Sequence, residues 1–352
     1  VIKFNSNTVF EMETFSIELS NGQKITGRHC LPQADRSTSK AIARPMIVCI
    51  HGASYNSEYF DANADYSWSL LANAFDIPIV SIDRPGYGGS TELPDQNVLG
   101  DAGTPTPTQR QAEYINCSVM PRIWDGFGSK SGASSVVILG HSVGGMVAIQ
   151  TAASYAMQKI PTYPLSGLIV SGVGCVWHQG AEETRSNEQT SNDSGETKAQ
   201  ESAQPTEKTK YITFERVQKD FLMLDYTADK SPADLLINPD VLQLTERLNH
   251  PAPLAEVIDI AQLWRSYWRR ETAKVNVPVF YALNEVDPWF NSSDDSVPTF
   301  AGSFTGSPKV VHGRVTRAPH CIELSLQAKS WMLQCGGFAL ECAVSFELSI
   351  RK

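Results

Sequence analysis

Residues 136–149, VVILGHSVGGMVAI, pass from an apolar run of strand length to a helical pattern with almost nothing between them. The run SSVVILG (134–140) reads as a buried strand, and the helical pattern extends from Val143 to about Gln158. At the junction, Gly140-His141-Ser142-Val143-Gly144 fits Gly-x-Ser-x-Gly. A turn this sharp holds the serine in a strained conformation and needs small residues two before and two after it. The Ser142 hydroxyl then stands clear of the sheet, beside a helix N-terminus whose free N–H groups favour developing negative charge. Such a junction belongs in a sheet whose strands are linked through helices.

The flanking sequence supplies that sheet. FSIEL, SNG and QKITGRHCL (15–31) read as a hairpin around an Asn-Gly turn. PMIVCIHG (45–52) is a near-continuous apolar run, as expected for a parallel strand covered on both faces. A helical pattern over 66–75 precedes a second buried strand, PIVSIDRPG (78–86), and a Thr/Pro loop (104–108) leads into a helix over 109–128 that Pro121 kinks. LSGLIVSGVG (165–174) is a further strand. The alternation predicts an α/β fold with a mostly parallel, doubly wound sheet. It then breaks. Residues 181–210 hold no Val, Ile, Leu, Met, Phe, Trp, Tyr or Cys, and such a segment cannot offset its ordering entropy by apolar burial, so a mobile surface excursion is expected. Helical spacing returns in 212–226, 232–248 and 254–273. Strands resume at VPVFYAL (277–283) and KVVHGRV (309–315), and a packed helix is expected from about Ile322. The division is therefore a core of 1–175 and 276–352, with 176–275 inserted as a helical cap over one end of the sheet.

Composition removes several classes of function. With 29 Lys+Arg against 38 Asp+Glu the chain carries a net charge of −9, which disfavours wrapping of nucleic acid or anionic lipid. No run approaches the roughly 18–20 apolar residues of a membrane span. The opening VIKFNSNTVFEMETF reads as neither a secretory signal nor an Arg-rich transit peptide. Seven cysteines, an odd number without Cys-x-x-Cys pairs or His/Cys ligand spacing, point to no metal site and to a reducing, cytoplasmic compartment.

Three motifs, in this order, resemble the α/β-hydrolase superfamily in its serine-nucleophile, capped form. IVCIHGASYNSEYF (47–60) looks like the family's His-Gly oxyanion segment, IDRPGYGGS (82–90) like its Asp-x-x-Gly-x-Gly-x-Ser turn, and GHSVGG (140–145) like its nucleophile elbow. The resemblance covers 15–175 and 277–352; the insertion carries none. It implies Ser142 as nucleophile and, by position after the last strand, His320 in RAPHCIEL as the base, with His312 as the runner-up. His51 and His141 stand where the family's histidines are structural. The orienting acid is expected a few residues after VPVFYAL, which selects Asp287, with Glu285 as the alternate. Asn284, in place of the common glycine, is expected to tolerate a left-handed turn there.

These roles imply acyl transfer to Ser142, general acid–base work by His320 oriented by Asp287, and an oxyanion bound by the N–H groups of Ala53 and Val143. Ser54 and Tyr55 are candidate extra hydroxyl donors. Asp83 and Arg84 read as supports for the turn beneath the site. On the insertion, Trp264, Tyr267 and Trp268 with Leu263 share one helix face, either as packing or as pocket wall. Phe221, Leu222 and Met223 suit a lipophilic lid or simple packing, and Arg265, Arg269 and Arg270 a solvated face. Weak substrate contacts are thus expected from Tyr55, Trp264, Trp268 and Phe221. The expected function is hydrolysis of a carboxylic ester, lactone or thioester of a mostly apolar small molecule, with no cofactor implied. Acyl transfer, C–C bond hydrolysis or non-catalytic ligand binding on the same fold are the alternatives.

Overall fold

The computed structural model describes residues 11–32, 43–100, 103–178, 210–223 and 236–351. Its strands are β1 (Glu13–Glu18), β2 (Lys24–Cys30), β3 (Pro45–Ile50), β4 (Ile79–Ile82), β5 (Ser135–His141), β6 (Leu165–Ser171), β7 (Tyr211–Ile212), β8 (Ala252–Pro253), β9 (Val279–Val286) and β10 (Val310–Pro319). Eight of them form one sheet in the order β1-β2-β4-β3-β5-β6-β9-β10. All neighbours from β4 to β10 pair in parallel, while β2 is antiparallel to both β1 and β4. This is the expected mostly parallel sheet with an N-terminal hairpin at one edge.

The alternating side-chain directions of the strands explain the layers. On β3, Met46, Val48 and Ile50 enter one apolar cluster, with the helix Val143–Ala156 and Ile115, Val119 and Ile123. Ile47 and Cys49 enter the opposite cluster, with Leu71 and Ala72 from the helix Ser69–Phe75 and Trp331, Cys335 and Phe338 from the helix Ala328–Ile350. Every residue of β3, β4, β5 and β6 is buried, which is why these segments read as near-continuous apolar runs.

Four local details differ from expectation. The helix expected over 109–128 with a kink at Pro121 is a mixed series: π-turns at Ile115–Val119 and Trp124–Gly128 flank the proline, with the Met120 N–H donating to the Ile115 carbonyl. The widened turn makes room for the proline ring, which would otherwise clash with the preceding turn. The C-terminal helix does not begin near Ile322; a single 3-10 turn (Ile322–Leu324) intervenes, and the helix starts at Ala328. The helix Trp264–Lys274, assigned to the cap, shares the apolar cluster of Val143–Ala156 and is part of the sheet's helical layer. Its helical spacing cannot reveal that, because an apolar helix face looks the same against a cap or a sheet. Asn284 lies inside β9 rather than in a left-handed turn.

The polar segment 181–210 lies outside the described residues apart from Lys210. Of the remaining insertion, the structure describes the β7–β8 pair and the helices Arg216–Phe221, Pro239–Leu242 and Leu254–Ile258. Among the described residues no helix is long and apolar enough to cross a membrane.

Candidate active site

Ser142 sits between β5 and the helix Val143–Ala156 with φ 56° and ψ −126°, a strained conformation for a residue with a side chain. The packing around it accounts for the two flanking glycines. A Cβ on Gly140 would strike the backbone of Gly144, and a Cβ on Gly144 would strike the carbonyls of Ile50 and His51. The Ser142 N–H donates to the Ser171 carbonyl at 2.9 Å, tying the elbow to the end of β6. The side chain remains partly exposed.

β10 and β9 deliver the other two groups. His320 Nε2 lies 3.0 Å from Ser142 Oγ, and His320 Nδ1 lies 2.7 Å from Asp287 Oδ2. A carboxylate only accepts, so Nδ1 carries the proton and Nε2 is left to accept from the Ser142 hydroxyl. Asp287 is fully buried, and its other oxygen accepts the N–H groups of Trp289 (2.8 Å) and Phe290 (3.0 Å). The Asn284 side-chain amide donates to the carbonyls of Pro319 and His320, both at 2.7 Å, so its role is to hold the histidine loop. Glu285 faces elsewhere, accepting from the Arg317 N–H at 2.6 Å, and His312 is exposed on β10 at the sheet edge.

On the other side of Ser142 runs 51–55. A Cβ on Gly52 would lie 3.1 Å from the Ser142 Cβ, so the two segments are in contact. No acceptor among the described residues takes the N–H of Ala53 or of Val143. His51 is structural: Nδ1 donates to the Gly52 carbonyl at 2.8 Å and Nε2 accepts the Arg84 N–H at 3.1 Å. Burial, reinforced by the Arg84 charge, drops its pKa well below the usual histidine range and keeps it neutral.

Arg84 is fully buried under this segment. Its guanidinium donates to the carbonyls of His51 (2.9 Å) and Gly52 (3.2 Å), to Gln111 (2.9 Å), and in fork geometry to Glu256 (2.6 and 2.9 Å). The Tyr87 hydroxyl also donates to Glu256. Asp83 accepts the Ser57 N–H (2.8 Å) and the Thr26 hydroxyl (2.6 Å). Both residues support the turn, as expected; the reach of Arg84 to Glu256 in the insertion has no signal in the sequence, since the partners are 172 positions apart.

Two further buried groups were not foreseen. Glu323 accepts from Tyr59 OH (2.7 Å), Trp331 Nε1 (3.0 Å) and Ser171 OH (3.3 Å), and it faces His141 Nδ1 at 3.4 Å. Burial pushes Glu323 above the usual carboxylate range, against the hydrogen bonds that favour its anion, and drops His141 well below the usual histidine range, so the imidazole behind the His320 ring stays neutral. A glutamate inside the apolar stretch HCIEL was the available hint. Lys219, from the helix Arg216–Phe221, is also fully buried, and burial depresses its amine to about 7. In RVQKDF it reads as an ordinary surface lysine.

The expected substrate contacts divide. The Tyr55 ring is buried under Lys219, and its hydroxyl meets Cys321 Sγ at 3.3 Å, so it is occupied by packing. Trp264 is fully buried, with Nε1 donating to the Gly174 carbonyl at 3.0 Å, and Trp268 stacks on Phe300 at 5.2 Å. Both are core packing and not pocket wall, because their helix lies against the sheet layer. Phe221 is 42% exposed. Half-buried Trp177 and Trp289, whose rings meet edge to face beside the Asp287 loop, were not singled out. A cleft of about 1270 Å³ lined by Arg110, Tyr114, Gln150, Ala153, Met157 and Arg270 lies toward the other end of the helix that Ser142 opens.

A family model described as Alpha/beta hydrolase family matches residues 47–321. Among solved structures, a highly thermostable carboxyl esterase from Bacillus coagulans, in complex with glycerol, is similar with a TM-score of 0.59 at 16% identity, over 95% of this chain and 99% of that one. A soluble variant of monoglyceride lipase from Saccharomyces cerevisiae, in complex with a substrate analog, is similar with a TM-score of 0.53 at 14% identity, over 96% and 97% of the two chains. At such identities the likeness is one of fold. A comparison with curated proteins gives no significant sequence match.

Proposed function

The chain belongs to the alpha/beta hydrolase family, and from that premise we propose that it is a serine hydrolase cleaving a carboxylic ester, lactone or thioester of a mostly apolar small molecule. The observation that carries this reading is the unbroken hydrogen-bonded series Ser142 Oγ, His320, Asp287, ending on a buried carboxylate. His320 Nε2 accepts the Ser142 proton as Oγ attacks the acyl carbon, then returns it to the leaving oxygen or sulfur. Asp287 fixes the imidazole tautomer and stabilises the imidazolium. The N–H groups of Ala53 and Val143 receive the oxyanion, and water, activated by the same imidazole, resolves the acyl-enzyme. Residues 210–223 and 236–258 roof the site in this reading, supported by the Arg84–Glu256 pair and by the Cys321 N–H donating to the Leu222 carbonyl at 3.1 Å. The half-buried tryptophans near Asp287 support an apolar acyl or alcohol part.

Labelling with a fluorophosphonate probe tests the assignment. The label is expected on Ser142, and Ser142→Ala is expected to abolish it and to lower turnover of a short p-nitrophenyl ester by about 10⁴-fold or more. A label on another residue, or full activity in the variant, refutes the proposal.

A further inference from the structure

Lys219 stands out among the buried groups that the chemistry above leaves unused. Its Nζ donates to Ser54 Oγ at 2.9 Å and to the Ser54 carbonyl at 3.1 Å, and it sits 3.0 Å from the centre of the Tyr55 ring. Among the described residues no carboxylate lies within ion-pair distance of it. An amine withdrawn from water without a counter-charge is costly, so its contacts are worth explaining. Both hydrogen bonds go to one residue, and that residue is unusual: Ser54 has φ 55°, in the left-handed region that side chains seldom adopt. The Ser54 carbonyl also accepts the His250 N–H at 3.0 Å.

Ser54 directly follows Ala53. On the N-terminal side of Ala53, Arg84 grips the carbonyls of His51 and Gly52; on the C-terminal side, Lys219 and His250 grip Ser54. The peptide that presents the Ala53 N–H to the reacting carbonyl is thus bracketed by two anchors. Resting on the acyl-transfer reading above, we infer that Lys219 is a positioning residue: its amine holds Ser54 in the left-handed conformation and thereby aims the Ala53 N–H at the oxyanion. Two N–H donors suffice for both bonds, so the neutral and the charged amine serve equally. The helix that carries Lys219 also receives the Cys321 N–H on the Leu222 carbonyl, one residue past His320, so the same short element braces both flanks of Ser142.

The test is Lys219→Met, assayed with a p-nitrophenyl ester and crystallised. Because the lost contact acts on the transition state through Ala53, kcat is expected to fall about 10- to 100-fold while KM changes less than about 3-fold. The crystal structure is expected to show Ser54 outside the left-handed region. Ser54→Gly in the Lys219→Met background is expected to recover several-fold in kcat, because glycine keeps a positive φ without help. If Lys219→Met does not fold, Lys219→Gln replaces it under the same criteria. Unchanged kcat, a loss confined to KM, or Ser54 still near its present φ overturns the inference. Wild-type protein inert to both ester and fluorophosphonate refutes the hydrolase reading, and the Ser54 conformation in the variant crystal still decides the role of Lys219.

Discussion

Glu256→Ala should be one of the most damaging single changes in the molecule outside the reacting groups. Its partner Arg84 is fully buried and cannot reach water when the carboxylate is gone. Three acceptors would remain for the guanidinium, the carbonyls of His51 and Gly52 and the Gln111 side-chain oxygen, all neutral. Breaking one side of a buried ion pair typically costs about 3–5 kcal/mol, because the surviving charge is desolvated and unpaired. Against a total stability of roughly 5–15 kcal/mol, that is a large fraction. Guanidinium denaturation followed by tryptophan fluorescence reads it directly. The double variant Arg84→Met/Glu256→Leu removes both charges and should recover most of the loss, as apolar replacements of buried pairs often do. Activity should not recover with it, since the Arg84→Met change takes the donor away from the carbonyls of His51 and Gly52. A Glu256→Ala cost under about 1 kcal/mol, the value for an exposed pair, would refute the reasoning.

Two further outcomes follow from the site. Asp287→Asn should lower ester turnover by about 10³- to 10⁴-fold, because an amide stabilises the wrong imidazole tautomer; Glu285→Gln should stay within a few-fold, and the reverse ranking would move the acid. The Lys219 amine is depressed by burial to about 7 in the folded chain and returns to its ordinary range on unfolding, so between those values the unfolded chain binds the extra proton. Stability from this residue therefore rises with pH above 7 and is lost as pH falls through it. From pH 7 to pH 9 the wild type should gain about 2 kcal/mol relative to Lys219→Met in urea denaturation, and parallel curves for the two proteins would count against the buried amine.

The parts of the molecule that could be read from the chain are those encoded locally. β3 and β5 are recognisable because both faces are covered and every residue but His141 is apolar or small, and the Gly140–Gly144 elbow because its close approaches demand missing side chains. His320 and Asp287 were reachable through their place after the last strands, not through any local pattern. What stayed hidden depends on partners distant in sequence. Glu256 looks like a helix-surface carboxylate until Arg84 is beneath it, and Lys219 looks like a solvated lysine until Ser54 accepts from it. Trp264 and Trp268 show the same limit from the apolar side: their spacing establishes a buried face but not what buries it. From its position alone Asn284 reads as a substitute for a turn glycine, whereas the strand continues past it and its amide is spent on the Pro319 and His320 carbonyls.

The backbone angles at residue 142 also limit how this site can evolve. A φ of 56° leaves space for a side chain with a single heavy atom on Cβ but crowds a second one. Exchange of oxygen for sulfur at this position keeps the branching unchanged, so a thiol version of the centre is one substitution away. Threonine, chemically the nearer relative, carries the methyl group that this corner of the chain excludes. The geometry is thus permissive toward a change of element and restrictive toward a change of shape.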